Sequence, residues 1–144
     1  INKLTKKATY NTFGFKNNPV WGQKFFNELN KCSMGINISR GKPIKYYSSD
    51  RISSLLGNGL LTFIHEDYQY TNFMNKNSIV TYKNLNDLNK KIVYFKKNKR
   101  LQRRIASNGY KLSHKIFNNQ LIAQYMINKS MNFNDKKKYI WSNI

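Results

Sequence analysis

KYYSSDRISSLLGNGLLTFI, residues 45–64, sets the order of elements for the rest of the chain. It opens with Tyr, Ser and Arg, then places Ile52, Leu55 and Leu56 on one side of a helix predicted over 49–56. Gly57 and Gly59 suit a helix end that needs positive φ. The unbroken apolar run over 60–64 then reads as a strand buried on both faces of a parallel sheet. Hydroxyls and a cation gather at the helix start, where unpaired N–H groups and the helix dipole favour an anion. Phosphate binding is therefore the reading to test first.

Elements of the same kind extend on both sides. Upstream, residues 9–15 mix Tyr, Phe and Thr and predict a short strand. Pro19 stands where a helix tolerates it, in the first turn. Trp21, Phe25, Leu29 and Cys32 recur every three or four residues, as one apolar helical face ending near Lys31. Met34, Ile36 and Ile38 alternate as a strand, and SRGKPIKYY (39–47) is a loop. Downstream, His65-Glu66-Asp67 ends the apolar run, and Asp67 is expected to cap a turn reaching Met74. Another brief strand covers 78–82. Asn84 caps a helix striped by Leu85, Leu88, Ile92 and Phe95. A further helix spans 101–116, weakened in its middle by Gly109, and a last one spans 121–127. From Met131 onward the tail is polar, basic and expected to be loosely held. Strands alternating with helices predict an α/β domain with a parallel sheet and a helical C-terminus.

At 144 residues the chain holds one domain at most. With 40% apolar and 15% aromatic residues it can bury a core and is not a disordered segment. A single cysteine, Cys32, excludes a disulfide framework and fits a reducing, cytoplasmic compartment. No apolar run approaches the ~20 residues that span a bilayer. Starting at Ile1 without a signal-peptide pattern, the chain is expected to be part of something longer. Its net charge of +20 invites anionic partners. Lys and Asn share A-rich codons, so a genome-wide base bias would inflate both, yet it would not explain why only 6 acidic residues remain.

Ligands of an open α/β sheet bind beyond the carboxyl ends of its strands. The loop over 39–47 lies there with Arg40, Lys42 and Lys45, and Gly41 permits close backbone approach. Ser48, Ser49 and Arg51 follow at the helix start. Cations and hydroxyls in that place suit a diphosphate. The same residues also read as an ordinary cap, by Ser49 or Asp50, beside a solvated loop, and both readings stay open. His65, Glu66 and Asp67 lack partners at metal-ligand spacing and read chiefly as turn chemistry. His114 reads as a surface or packing residue, and Cys32, with no neighbouring His, is not a nucleophile. KKNKRLQRR (96–104) is the strongest basic run. A solvated helix face, a nucleic-acid-binding module and contact with an anionic membrane are its alternatives. The tail KKKYIW (136–141) has the same mix of cations and aromatics.

WGQKFFNEL (21–29), CSMGINISRG (32–41), KYYSSDRI (45–52), LLGNGLLTF (55–63), SIVTYKNLNDLNKKI (78–92) and RRIASNGYKLSHKIFNNQLIAQYMI (103–127) occur in that order and spacing. Together they resemble the C-terminal domain of GT-B glycosyltransferases, in the group-1-like branch with spore-maturation-type and cell-envelope members. The resemblance covers about 13–127. It implies a partial Rossmann-like nucleotide-sugar-binding domain over 1–130, with 131–144 as a basic tail. It also implies sugar transfer to a glycan or lipid-linked acceptor without a metal or other cofactor. Peripheral contact at the inner membrane face is read from the basic run, and a nucleic-acid-binding module using Lys96–Arg104 is the runner-up reading. Ser39, Arg40, Gly41, Tyr47, Ser48, Ser49, Asp50 and Arg51 match the diphosphate-holding positions, with Arg40 and Arg51 stabilising the leaving group. The relatives' pattern Arg-x-x-Glu-x-x-x-x-Gly reads here as Arg51, Ser54 and Gly59, so Ser54 replaces the carboxylate expected to hold the ribose. Gly14 and Phe15 match the place where relatives cradle the base. The N-terminal, acceptor-side GT-B domain is missing, so the chain alone is expected neither to turn over substrate nor to bind donor tightly.

Overall fold

The computed structural model describes residues 4, 6–13, 17–38, 41–133 and 139–141. Strands β1 (Met34–Ile36), β2 (Leu61–His65) and β3 (Val80–Tyr82) pair in parallel, in that order across the sheet. Phe63 stands opposite Ile36 on one side and Val80 on the other. Helix α1 (Gly22–Leu29) precedes the sheet, and α2 (Asp50–Gly57) joins β1 to β2. Two single-turn 3-10 helices, Glu66–Tyr68 and Tyr70–Asn72, join β2 to β3. Helices α3 (Leu85–Lys97), α4 (Lys99–Ile116) and α5 (Asn119–Ser130) complete the chain order. The arrangement is α/β and Rossmann-like with a helical C-terminus.

Leu61, Thr62, Phe63 and Ile64 are all buried, so β2 needs cover on both faces. Leu61 and Phe63 meet Val80, Tyr82 and the Leu88, Ile92 and Phe95 stripe of α3 on one face. On the other, Ile64 and Ile79 meet Ile52 and Leu56 of α2 together with Tyr68, Tyr70 and Met74. Burying each large apolar side chain contributes about 1.5–3 kcal/mol. The start of α3 is fixed by side chains: Asn84 Oδ1 accepts from the Asp87 N–H, and Asp87 Oδ2 accepts from the Lys83 N–H, both at 3.0 Å. The ammonium of Lys91, 2.8 Å from the same oxygen, does most to hold the Asp87 carboxyl below its ordinary range.

Helix α4 crosses the amino edge of the sheet. Its Gln102 Nε2 donates to Ser33 O at 3.2 Å and its Asn108 Nδ2 to Asn77 O at 3.1 Å, just ahead of β1 and β3. Two glycines permit the closest approaches. A Cβ on Gly35 would lie 2.3 Å from Leu55 Cδ2 of α2, and one on Gly109 would lie 2.4 Å from Ser78 O. Gly109 is therefore the contact point of α4 with the sheet rather than a weak point in the helix.

Four other sequence expectations change. Residues 9–13 form no strand; Phe13 makes one isolated parallel bridge to Asn17. Helix α1 begins at Gly22, beyond Pro19, and buries none of its residues, while Trp21 is 80% exposed. An apolar period marks a helical face but does not supply its cover. His65 caps the turn after β2 through Nδ1, which accepts from the Asp67 N–H, so Asp67 is the donor there and not the cap. Tyr139 is buried and meets Tyr125 edge-on, and Trp141 stacks on Phe117, so aromatic packing holds these two tail residues.

Replacing Gly109 by Ala should lower stability by about 2 kcal/mol, because the obstructing atom is backbone. Gly57→Ala is the control, with only His114 Cε1 at 4.0 Å from its added carbon. Urea denaturation separates the two; equal stabilities would contradict the tight α4 contact.

Candidate functional site

Parallel strands end together, and the ends of β1, β2 and β3 bring Asn37, His65 and Tyr82 to one edge. Asn37 is the centre of this edge and is 1% exposed. Its N–H donates to Phe63 O at 2.9 Å, and its carbonyl accepts from the Tyr82 hydroxyl at 3.1 Å. Its Oδ1 accepts from Ser49 Oγ at 3.2 Å and from Arg51 Nη1 at 3.4 Å. Arg51 Nη1 also donates to Ile38 O, so one guanidinium nitrogen ties α2 to the end of β1. The Asn37 Nδ2 group is buried and has no hydrogen-bond partner among the described residues. An unmatched buried donor costs about 1–3 kcal/mol, which marks this position as unusual.

Ser49 takes the extended backbone of an N-cap, with φ −102° and ψ 154°, yet its side chain makes no cap bond. The hydroxyl is turned to Asn37 instead. The Asp50 and Arg51 N–H groups therefore have no acceptor among the described residues, at the positive end of the α2 dipole. Asp50 is exposed in the first turn, and Ser54 is half-buried one turn along. Gly59, with φ +72°, ends the helix and leads into β2 at the opposite edge. The eight residues of α2 put it about 12 Å from the helix start, so Gly59 does not join the cluster.

The preceding loop is pinned. Tyr46 has φ 61°, a left-handed backbone that bulky residues rarely adopt. Its N–H donates to Tyr68 O at 3.0 Å, its hydroxyl accepts from Asn72 Nδ2 at 2.7 Å, and its ring meets Phe73 edge-on. Lys45 Nζ sits 4.7 Å from the Tyr46 ring centre. Ser48 bonds to the buried Tyr70 phenol, whose pKa is pushed up chiefly by burial. Gly41 (φ +94°) has open space around it, and Tyr47 is half exposed. Ser39, Arg40, Gly14 and Phe15 lie outside the described residues.

His65 packs edge-on to Tyr82, ring centres 5.2 Å apart. His65 Nδ1 accepts from the Asp67 N–H at 3.3 Å and lies 3.5 Å from Asp67 Oδ2. Burial raises the Tyr82 phenol pKa and keeps it protonated while it holds Asn37. The open α2 start, Ser49 and Arg51 supply donors at this edge, beside the exposed carboxylates of Asp50, Glu66 and Asp67. Among the described residues no three His, Cys, Asp or Glu side chains form a metal-binding group, and no helix is long and apolar enough to cross a membrane. The basic run 96–104 lies elsewhere, divided between the end of α3 and the start of α4.

Asn37, Tyr46 and Tyr82 are absent from the site as read in sequence. One signal pointed to Asn37: it shares the inward phase of β1 with Gly35, opposite Met34 and Ile36. Asn37→Leu should cost about 2 kcal/mol by removing the side-chain acceptor of Ser49 Oγ and Arg51 Nη1, and should speed amide exchange in the first turn of α2. Unchanged exchange there would contradict the tie.

A family model described as glycosyl transferase-like matches residues 6–128. No curated protein matches the chain, and no solved structure does. The family match takes in the whole sheet, the loop over 41–49, and α2 to α4, and on it the chain belongs to the glycosyl transferase-like family.

Proposed function

We propose that the protein binds a nucleotide-sugar donor by its diphosphate at the start of α2 and transfers the sugar to a glycan or lipid-linked cell-envelope acceptor. The observation that carries this reading is the uncapped α2 start, with Ser49 and Arg51 turned onto a buried Asn37. Family membership supports transferase chemistry, and the donors at the α2 start support an anionic leaving group.

In the proposed reaction an acceptor hydroxyl oxygen attacks the anomeric carbon as the carbon–oxygen bond to the diphosphate breaks, and the hydroxyl proton passes to the departing diphosphate. Negative charge grows on the β-phosphate. Arg51 meets it with guanidinium N–H groups not used in holding Ile38 and Asn37, and the Asp50 and Arg51 N–H groups add to it. Donors fixed before the reaction stabilise that charge without reorganising. Arg40 is proposed to act with Arg51. Ser39, Gly41, Tyr47, Ser48 and Ser49 are proposed to line the donor, Ser54 to face the ribose in place of a carboxylate, and Gly14 to lie beside the base. The reading is of GT-B type with no metal, because these cations perform the neutralisation a divalent ion performs elsewhere.

Arg51→Ala in the complete gene product should lower kcat at least about 100-fold with a panel of labelled nucleotide sugars, while circular dichroism stays unchanged. Transfer at the wild-type rate would refute the assignment of Arg51.

A further inference from the structure

The basic run 96–104 is not used by the site above, and its first α4 residues line a pocket at the opposite edge of the sheet. The pocket has a volume of about 420 Å³, within the range of small-molecule sites. Lys99, Arg103, Ser107 and Tyr110 recur at helical spacing along one face of α4, and Gln102 and Ser33 complete the polar wall. The lining contains no carboxylate. Neither Lys99 nor Arg103 forms an ion pair among the described residues. Both cations also sit in the first turns of a helix with no acid in its first turn and no side-chain cap, where the dipole already disfavours positive charge.

Gln102 adds an independent requirement. It is 5% exposed, and its Nε2 donates to Ser33 O at 3.2 Å. That bond occupies the amide N–H and leaves the Gln102 Oε1 without a hydrogen bond from the described residues. A bare anion engages only the cations. A ligand with both a phosphate and hydroxyl groups engages Oε1 as well.

We propose that this pocket is a second ligand site, separate from the donor edge, that takes a small hydroxylated phosphate ester. Lys99 and Arg103 hold the phosphate. Gln102 Oε1 accepts from a ligand hydroxyl, and the Ser33 and Ser107 hydroxyls contact the remaining oxygens. The site stands whether or not the donor reading of α2 holds, since the two share no residue.

Glycerol 3-phosphate is the probe, with inorganic phosphate and glycerol as comparisons, followed by backbone amide shifts in nuclear magnetic resonance. The expected result is saturable movement of the Ser33, Gly59 and Ser107 amides with glycerol 3-phosphate, at least tenfold weaker with phosphate and absent with glycerol. Lys99→Gln with Arg103→Gln should weaken binding at least tenfold; both side chains are exposed, so the fold is retained and a melting curve checks it. Arg51→Ala should leave these shifts unchanged. Three results would overturn the proposal: no movement at the three amides, equal affinity in the double variant, or equal affinity for phosphate and the ester.

Discussion

A central strand with no exposed face is the constraint on which the other elements depend. Leu61 to Ile64 are buried in succession, so β2 requires a parallel neighbour on each side and cover above and below. Parallel neighbours require crossovers, and α2 and the 3-10 turns supply these and cover one face, while α3, which follows β3, covers the other. The same crossovers gather all three strand ends at one edge. A ligand crevice there follows from the packing of apolar residues remote from it.

At that edge the chemistry centres on one carboxamide. Asn37 takes part in backbone pairing, accepts the Tyr82 hydroxyl, and draws in Ser49 and Arg51, so four elements meet at a buried polar residue. Turning Ser49 inward removes the cap α2 would otherwise have. The helix start stays open to an anion because its hydroxyl is occupied elsewhere. Arg51 is divided in the same way, with one nitrogen tying the structure together and the rest of the guanidinium facing outward.

Much of this was legible from local pattern. Residues 45–64 declare α2, its glycine end and β2, because helical period, positive φ and continuous apolarity are local properties. Ser48, Ser49 and Arg51 were legible for the same reason. Asn37 and Tyr82 were not, because their contact joins residues 45 apart and depends on strand register. Tyr46 escaped because its left-handed backbone is imposed by Tyr68 and Asn72, not by its own type. Gly109 was misjudged because helix propensity counts a missing side chain as a loss, while the packing against Ser78 O requires it. Helix α1 shows the opposite error, since an apolar period says nothing about whether a partner is present.

The two edges of the sheet carry different electrostatics. At the carboxyl edge, donors converge on a buried amide beside exposed acids. At the amino edge, the cations of α4 stand without carboxylates. The central claim concerns the first. Its most direct measurement is a crystal structure of the complete gene product with a nucleoside diphosphate such as UDP. A phosphate is expected within about 3 Å of the Arg51 guanidinium and the Asp50 and Arg51 N–H groups. A diphosphate bound away from the start of α2, with Ser49 and Arg51 still facing only Asn37 and Ile38, would contradict it.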